Sequence, residues 1–510
     1  MRSKRAIYNI ITNLLLQGAM ILYGFVVPKV IIDAFGSDIN GLVTSITQFL
    51  GYITFLESGF GPVVRATLYD VIAKKDDRVI KGVLKTTEKF FRRIASIFIV
   101  YIFVLCLVFP LIVREKFDTI FTVSLVVIIG ISTFAEYFFG MTYRLFLQAK
   151  QKMYVVSLIQ TISYVLSIAA VVILALIGQD IIVIKLVSGL LFMLRPILQN
   201  LYVKKKYHIY LNDVQDSCPI KQKWDGLAQH IAAVIRDNTD VTVLTVFTTL
   251  AEVSVYSVYY LVVFGIRRIL LAFSNSFDAS FGDMIAKKED ENLRKKFSAY
   301  ELLYMLIITA VFVCAFLLIT PFVSVYTKGV TDADYIRPVF GYLLVLSGYI
   351  FAIIIPYSSL TLAAGHFRET KKGAWVEAGV NIVLSVVLVA NYGLIGVAIG
   401  TAVAMFIRMI EFIYHTNRYV LKRKAWFSVK KILISVVTLI LLIIVLYYSL
   451  DLKSSDYIGW LFDAFVVFTI AMTISALFYV VLCKKEASIL LFQIKKSLSH
   501  ICNKDKRRIK

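Results

Sequence analysis

Apolar runs of about twenty residues follow one another along almost the whole 510-residue chain. A hydrocarbon layer about 30 Å thick needs roughly that length of helix at ~1.5 Å per residue. The runs are apolar all round rather than at every second position, which predicts helices and argues against the strands of a membrane barrel. They fall at 7–33, 41–69, 94–113, 120–147, 153–177 and 181–202. After the polar stretch from Val203 to Trp224 come 225–248, 253–281, 298–320, 335–362, 373–390 and 394–417. A basic segment, Arg418 to Lys431, precedes a last pair at 432–450 and 457–482. The pattern predicts an all-α integral membrane protein with about fourteen transmembrane helices. Six-helix lobes at 1–202 and 225–417 flank a cytoplasmic linker at 203–224, and accessory helices 13 and 14 (418–482) and a basic tail (483–510) follow. Repeats of this kind commonly hold a substrate near the midplane between them.

Charge fixes the expected orientation. Of 55 Lys and Arg, 41 fall in the N-terminus, alternate loops and tail, only about five in the intervening loops, and the rest within helices. The bias predicts a plasma or inner membrane protein with both termini cytoplasmic. The opening Arg2, Lys4 and Arg5 lead into an apolar run too long for a signal peptide, read as an uncleaved first helix. The inside loops are the longer and more basic ones, as at Lys74 to Arg93 and Lys287 to Lys296. The outside ones are as short as Gly178-Gln179-Asp180 and Asn391-Tyr392-Gly393. The tail from Lys484 to His500 fits a basic amphipathic helix on the inner leaflet and, equally, a solvated end. The net charge of +22 lies in loops between spans, so anionic lipids are the expected partner and nucleic acid is not.

Several chemistries lack their residues. No G-x-x-x-x-G-K-[ST] loop exists, and Gly59-Phe60-Gly61 sits in an apolar run without the third glycine of a dinucleotide loop. The five cysteines form no C-x-x-C, and no two of the five histidines stand at metal-ligand spacing. Gly396 and Gly400 form a small-xxx-small pair expected to permit close packing. With no nucleophile and base together, and no extramembrane segment long enough for a catalytic domain, an enzyme is not expected.

The informative residues are charges within the spans, which are costly in lipid and mark pathways or internal pairs. Arg236, Asp237 and Asp240 lie roughly 17–22 Å into the seventh span. Arg195, Arg267, Arg268 and Arg408 stand at mid-depth on the sixth, eighth and twelfth spans. Glu57 and Arg65 share a broad face of the second with Gly61 between them, and Glu136 has a depth like that of Glu57. Arginines on several helices suggest a hydrated cationic cavity for an anion such as a phosphate or diphosphate. The competing expectation is that acids within the spans neutralise them pair by pair.

Short stretches carry a family resemblance. Leu56-Glu57-Ser58-Gly59-Phe60-Gly61-Pro62-Val63-Val64-Arg65 resembles the acidic-x-G-x-G…R pattern of the second helix in the multidrug/oligosaccharidyl-lipid/polysaccharide (MOP) exporter superfamily. Phe35-Gly36 to Asn40-Gly41-Leu42 resembles the turn after its first helix. Asn238-Thr239-Asp240, Val255-Tyr256-Ser257 and Tyr392-Gly393-Leu394-Ile395-Gly396-Val397-Ala398 resemble stretches of the seventh, eighth and twelfth, with serine at 257 where glycine is usual. Within the superfamily the chain is most similar to the polysaccharide transporter branch, the Wzx-like flippases. The motifs are degenerate, and the likeness extends over nearly the whole chain in topology.

The resemblance implies a V-shaped pair of lobes that alternates access and flips a polyprenyl-diphosphate-linked oligosaccharide from the inner to the outer leaflet for surface polysaccharide export. Related lipid II flippases line their cavity with arginines of helices 1, 2 and 8, for which Arg65, Arg267 and Arg268 are the candidates. Lys29 lies too near the outer face. The resemblance also implies a place for sodium or a proton at Asp237 or Asp240, Glu377, Asn381 and Thr401, and no other cofactor. Expected partners are membrane lipids, the lipid-linked glycan, a polysaccharide polymerase and glycosyltransferases. The alternative within the superfamily is a cation-coupled drug or metabolite antiporter, which the mid-depth arginines disfavour.

Overall fold

The apolar runs form helices because a helix satisfies its own backbone hydrogen bonds where no water can. A computed structural model describes residues 2–57, 59–74, 76–211, 227–452, 454–484 and 486–488, and no strand occurs among them. In chain order the helices are α1 (Arg2–Phe35), α2 (Ser37–Gly51), α3 (Thr54–Glu57), α4 (Phe60–Lys74), α5 (Asp77–Val113) and α6 (Thr119–Ala135). A π turn, Glu136–Gly140, leads into α7 (Met141–Ala149), followed by α8 (Met153–Leu176) and α9 (Ile181–Tyr207). Then come α10 (Leu227–Phe247), α11 (Leu250–Ala286), α12 (Asp290–Tyr326), α13 (Pro338–Ala363), α14 (Lys371–His415), α15 (Trp426–Ser449) and α16 (Tyr457–Leu482).

Twelve helical stretches among the described residues are long and apolar enough to cross a membrane. One of them, Lys371–Val420, contains two of the expected spans and is interrupted at Gly393, whose φ of 52° and ψ of −128° are not helical. α10 is not among the twelve, and it carries Arg236, Asp237 and Asp240.

Three expected boundaries are corrected. The single helix expected over 41–69 is three helices. Gly59 adopts φ 79°, a left-handed conformation that suits glycine, and Pro62 in the first turn of α4 has no N–H to give. The basic loops expected from Lys74 to Arg93 and from Lys287 to Lys296 are largely helical extensions of α5 and α12. Asp76 caps α5 by accepting from the Val79 N–H at 3.0 Å, and Glu88 pairs with Lys85 at 3.3 Å and Arg92 at 2.8 Å. Such spacings support a helix in water as well as in lipid.

By internal packing the described chain divides into two compact units. The first runs to Val258 and includes Gly329–Ala333 and Val389–Gly393; the second holds the rest. The boundary falls within α11. Hydroxyl contacts hold α10 in the first unit, with Ser45 Oγ 2.7 Å from Thr245 Oγ1 and the Tyr52 hydroxyl 2.8 Å from Thr242 Oγ1. The core of the first unit centres on Leu42, Ile46, Val64, Phe91, Phe98 and Phe146. That of the second is rich in fully buried aromatics, among them Phe297, Tyr304, Phe312, Phe340 and Tyr357. Most of the expected linker and tail (212–226 and 489–510) lies outside the described residues.

Candidate functional site

The first unit contains a cavity of about 530 Å³. Glu57 from α3 and Arg65 from α4 reach it across the break at Gly59. Glu136 and Tyr137 enter from the π turn, Arg144 and Gln148 from α7, Gln160 from α8 and Arg195 from α9. The Tyr137 hydroxyl donates to Glu57 Oε2 at 3.2 Å, and Arg144 Nη1 stands 3.4 Å from Glu136 Oε1. Residues eight apart on an α-helix diverge by roughly 80°. The wider π turn between Glu136 and Arg144 takes up that angle and returns both to one face. Gly140 ends the π turn where a Cβ would lie 2.6 Å from the Pro196 Cβ, so α9 can approach closely beside Arg195.

Arg195 is held by rings rather than by a carboxylate. Its guanidinium carbon is 3.8 Å from the Phe192 ring centre and 4.1 Å from that of Tyr164. Nε and Nη2 are buried without a hydrogen-bond partner, as are Gln148 Oε1 and both amide atoms of Gln199. Donors left in this state gain from any oxyanion that reaches them. The structure thus gathers three expected site residues, Glu57, Arg65 and Arg195, into one cavity and adds Arg144, which sequence reading passed over.

The seventh-span charges lie elsewhere in the first unit. Arg236 Nε contacts Asp237 Oδ1 at 3.3 Å, and Asp237 is exposed. Asp240 is buried and accepts from the Tyr256 hydroxyl at 2.9 Å. Asn40 donates to Ser254 Oγ at 2.8 Å and to Ser257 Oγ at 3.2 Å, while a Cβ on Gly41 would collide with the Leu250 carbonyl. Three of the stretches that carry the family resemblance therefore meet in one joint between α2, α10 and the start of α11.

In the second unit Arg267 is buried, with Nη1 3.2 Å from the Tyr260 hydroxyl and its guanidinium 4.0 Å from the Phe351 ring centre. Arg268 lies over Phe264 at 4.8 Å. Arg408 sits in an acidic niche. Its Nε is 3.3 Å from Glu377 Oε2, and its Nη1 donates to Glu411 and, at 3.1 Å, to the Thr370 carbonyl. The arginine assigned to substrate thus closes on a carboxylate assigned to a cation. Asn381 Nδ2 donates to Thr401 Oγ1 at 2.9 Å, and Cβ atoms on Gly396 and Gly400 would press on Leu388 and Ser385, the close packing expected of that pair. Asp237 and Asp240 belong to the first unit, and Glu377, Asn381 and Thr401 to the second.

The fold also makes one pair that sequence spacing hides. His366 Nδ1 and His415 Nε2, 49 residues apart, share a hydrogen bond of 3.0 Å. No group of three or more His, Cys, Asp or Glu among the described residues could hold a metal ion.

No family model matches the chain, and no curated protein does. Solved structures do. The lipid II flippase MurJ in an inward closed conformation aligns over 93% of this chain and 99% of its own, at 16% identity and a TM-score of 0.66. An inward-facing multidrug resistance MATE family transporter of the MOP superfamily aligns over 78% and 96%, at 12% identity and a TM-score of 0.60. The chain shares the fold of these two structures. An outward-facing MATE structure agrees, covering 82% of this chain and 96% of its own at 13% identity and a TM-score of 0.56.

Proposed function

We propose that this chain is a flippase that carries a polyprenyl-diphosphate-linked oligosaccharide from the inner to the outer leaflet by alternating access. The observation that carries the reading is the cavity of the first unit. Three arginines, Arg65, Arg144 and Arg195, face two carboxylates there, beside the hydroxyls of Thr54, Ser132 and Thr133 and the amides of Gln148 and Gln160. This lining suits sugar hydroxyls and an anionic group, and it is poor for a cationic drug. Coverage supports the same reading. The MATE structures are almost fully matched yet leave about a fifth of this chain over, whereas MurJ accounts for nearly all of it. In this reading the protein has fourteen spans in two six-helix lobes, with both termini cytoplasmic in the plasma or inner membrane. α10 and the two halves of α14 count among the spans, and α15 and α16 form the accessory pair. Arg267 and Arg268 act from the second unit, and a polymerase and glycosyltransferases work alongside. Sodium or a proton couples transport at Asp237 and Asp240 or at Glu377, Asn381 and Thr401.

The test is a depletion strain. Loss of the chain should remove surface polysaccharide and leave the lipid-linked oligosaccharide in the inner leaflet. A chain with Arg65→Ala, Arg144→Ala and Arg195→Ala, present at the normal level, should fail to restore export. Normal export by that variant would rule out the cationic cavity as the substrate site.

A further inference from the structure

Among the described residues, no carboxylate pairs with the basic residues at one end of the first unit; Asp213 and Asp216, which follow in the sequence, lie outside them. The turn after α7 holds Lys150 and Lys152, and α9 ends in Lys204, Lys205 and Lys206. The Lys152 ammonium lies 5.1 Å from the centre of the Tyr207 ring, and that of Lys150 lies 5.8 Å from the same ring and 5.7 Å from Phe146. Lys206 stands 5.3 Å from Tyr202. Asn9 of α1 joins this end, donating to the Gln151 carbonyl at 3.2 Å and accepting from the Tyr154 N–H at 2.8 Å. Arg2, Lys4 and Arg5 therefore begin α1 one to two turns from the same turn. Across 1–32, 145–157 and 198–211 the sequence contains no Asp or Glu.

At other basic ends some lysines do have acidic partners. Lys74 pairs with Asp70 at 2.7 Å, Lys287 with Asp283 at 2.8 Å, Lys295 with Glu291 at 2.6 Å and Lys422 with Asp290 at 2.6 Å. A general preference for positive charge on one side of a membrane accounts for lysines at all of these places. It does not account for the lack of an acidic partner, among the described residues, at one of them. Aromatic faces hold the lysines in place here without neutralising them. Tyr202 and Tyr207 are residues of the kind that sit at headgroup depth. Next to this end α8 exposes Leu158 and Ile162 and α9 exposes Leu198 and Leu201, an apolar surface against which acyl chains can lie.

We propose that this end of the first unit is a docking surface for the phosphate of an anionic phospholipid of the bilayer. The lysines take the phosphate oxygens, the tyrosines lie at the glycerol level, and the lipid is a standing neighbour rather than the transported molecule. The inference is independent of the flippase reading and would hold for any cargo.

Native mass spectrometry of the full chain, released from nanodiscs containing phosphatidylglycerol and phosphatidylcholine, tests it. The chain should retain phosphatidylglycerol in preference, and the preference should weaken as salt rises. Replacing Lys150, Lys152, Lys204, Lys205 and Lys206 by Gln should abolish it. Lys152→Gln and Lys206→Gln alone should each lower it by roughly fivefold, the effect of one lysine at an anionic surface. These single variants decide the matter if the variant with all five lysines changed does not fold. A control with Lys74, Lys287, Lys295 and Lys422 changed to Gln should keep the preference. Equal retention by the lysine variants and the unchanged chain would overturn the proposal. So would displacement of the phospholipid, one for one, by a polyprenyl diphosphate probe, which would make this end part of the substrate path.

Discussion

Two arginines show how differently one residue type can be held. Arg408 is enclosed with Glu377, each side chain 3% exposed, and with Glu411 and the Thr370 carbonyl. Removing it breaks the buried ion pair with Glu377, and breaking a buried pair costs about 3–5 kcal/mol. Arg408→Ala should therefore lower the thermal midpoint of the purified protein sharply, and transport should fall only as far as folded protein does. Arg195 has no carboxylate, only Tyr164, Phe192 and buried donors without partners. The rings contribute about 0.5–2 kcal/mol, and the unmet donors subtract a comparable amount. Arg195→Ala should then leave the midpoint nearly unchanged while surface glycan per molecule falls at least about tenfold, the size of one charged hydrogen bond. Arg195→Lys should not restore export, because an ammonium lacks the planar fork that packs on the rings and directs several donors at once. A variant that lost stability and kept export would reverse these roles. Both residues look alike in sequence, each an arginine at mid-depth in an apolar run. What separates them is the company each meets from distant parts of the chain.

At the level of elements, α15 is joined to the second unit by a buried ionic cluster. Glu301 of α12 is 0% exposed and meets Lys431 at 2.5 Å and Arg423 at 3.0 Å, and it also accepts from Tyr357 at 2.7 Å and from Ser428. Lys431→Met should cost about 3–5 kcal/mol, and the further change Glu301→Met should recover much of it, since a buried pair replaced by apolar residues is often close to neutral. Denaturation of the two variants in detergent would show the rescue. Absence of rescue would mean that Arg423 alone keeps the site charged. The sequence marked where helices lie and several places where they stop. Gly178 and Gly393 punctuate apolar runs, and both have positive φ. It did not mark the break at Gly59, because Glu57 to Arg65 reads as one continuous face. Nor did it mark the π turn at Glu136–Gly140, which no composition signals and which aligns Arg144 with Glu136. Glu88, Lys85 and Arg92 fall within an expected loop because charge density alone does not separate a loop from a helix that leaves the membrane. Their i, i+3 and i, i+4 spacing was the available clue.

For the whole molecule, the sequence carried the helical membrane class, since it rests on repeated features spread over hundreds of residues. The division into units was less legible. The sequence places a linker at Val203 to Trp224, and in the structure α10 is tied to α2 through Ser45, Thr245, Tyr52 and Thr242, hydroxyl pairs that apolar periodicity does not register. The joint bears on coupling. Asp240 is 4% exposed and accepts from Tyr256, whereas Asp237 is exposed beside Arg236. An Asn at 240 keeps an acceptor for Tyr256 and removes only the charge. Asp240→Asn should therefore fold normally, and if this acid carries the coupling ion it should flip substrate more slowly and lose its response to an imposed gradient. Asp237→Asn should act through Arg236 and reduce transport less. Reconstitution in vesicles with a sodium or proton gradient reads both effects. Fully active Asp237→Asn and Asp240→Asn proteins, with transport indifferent to sodium and to pH, would remove cation coupling from this site. Asp240 would then be left as the carboxylate that locks α10 to α11.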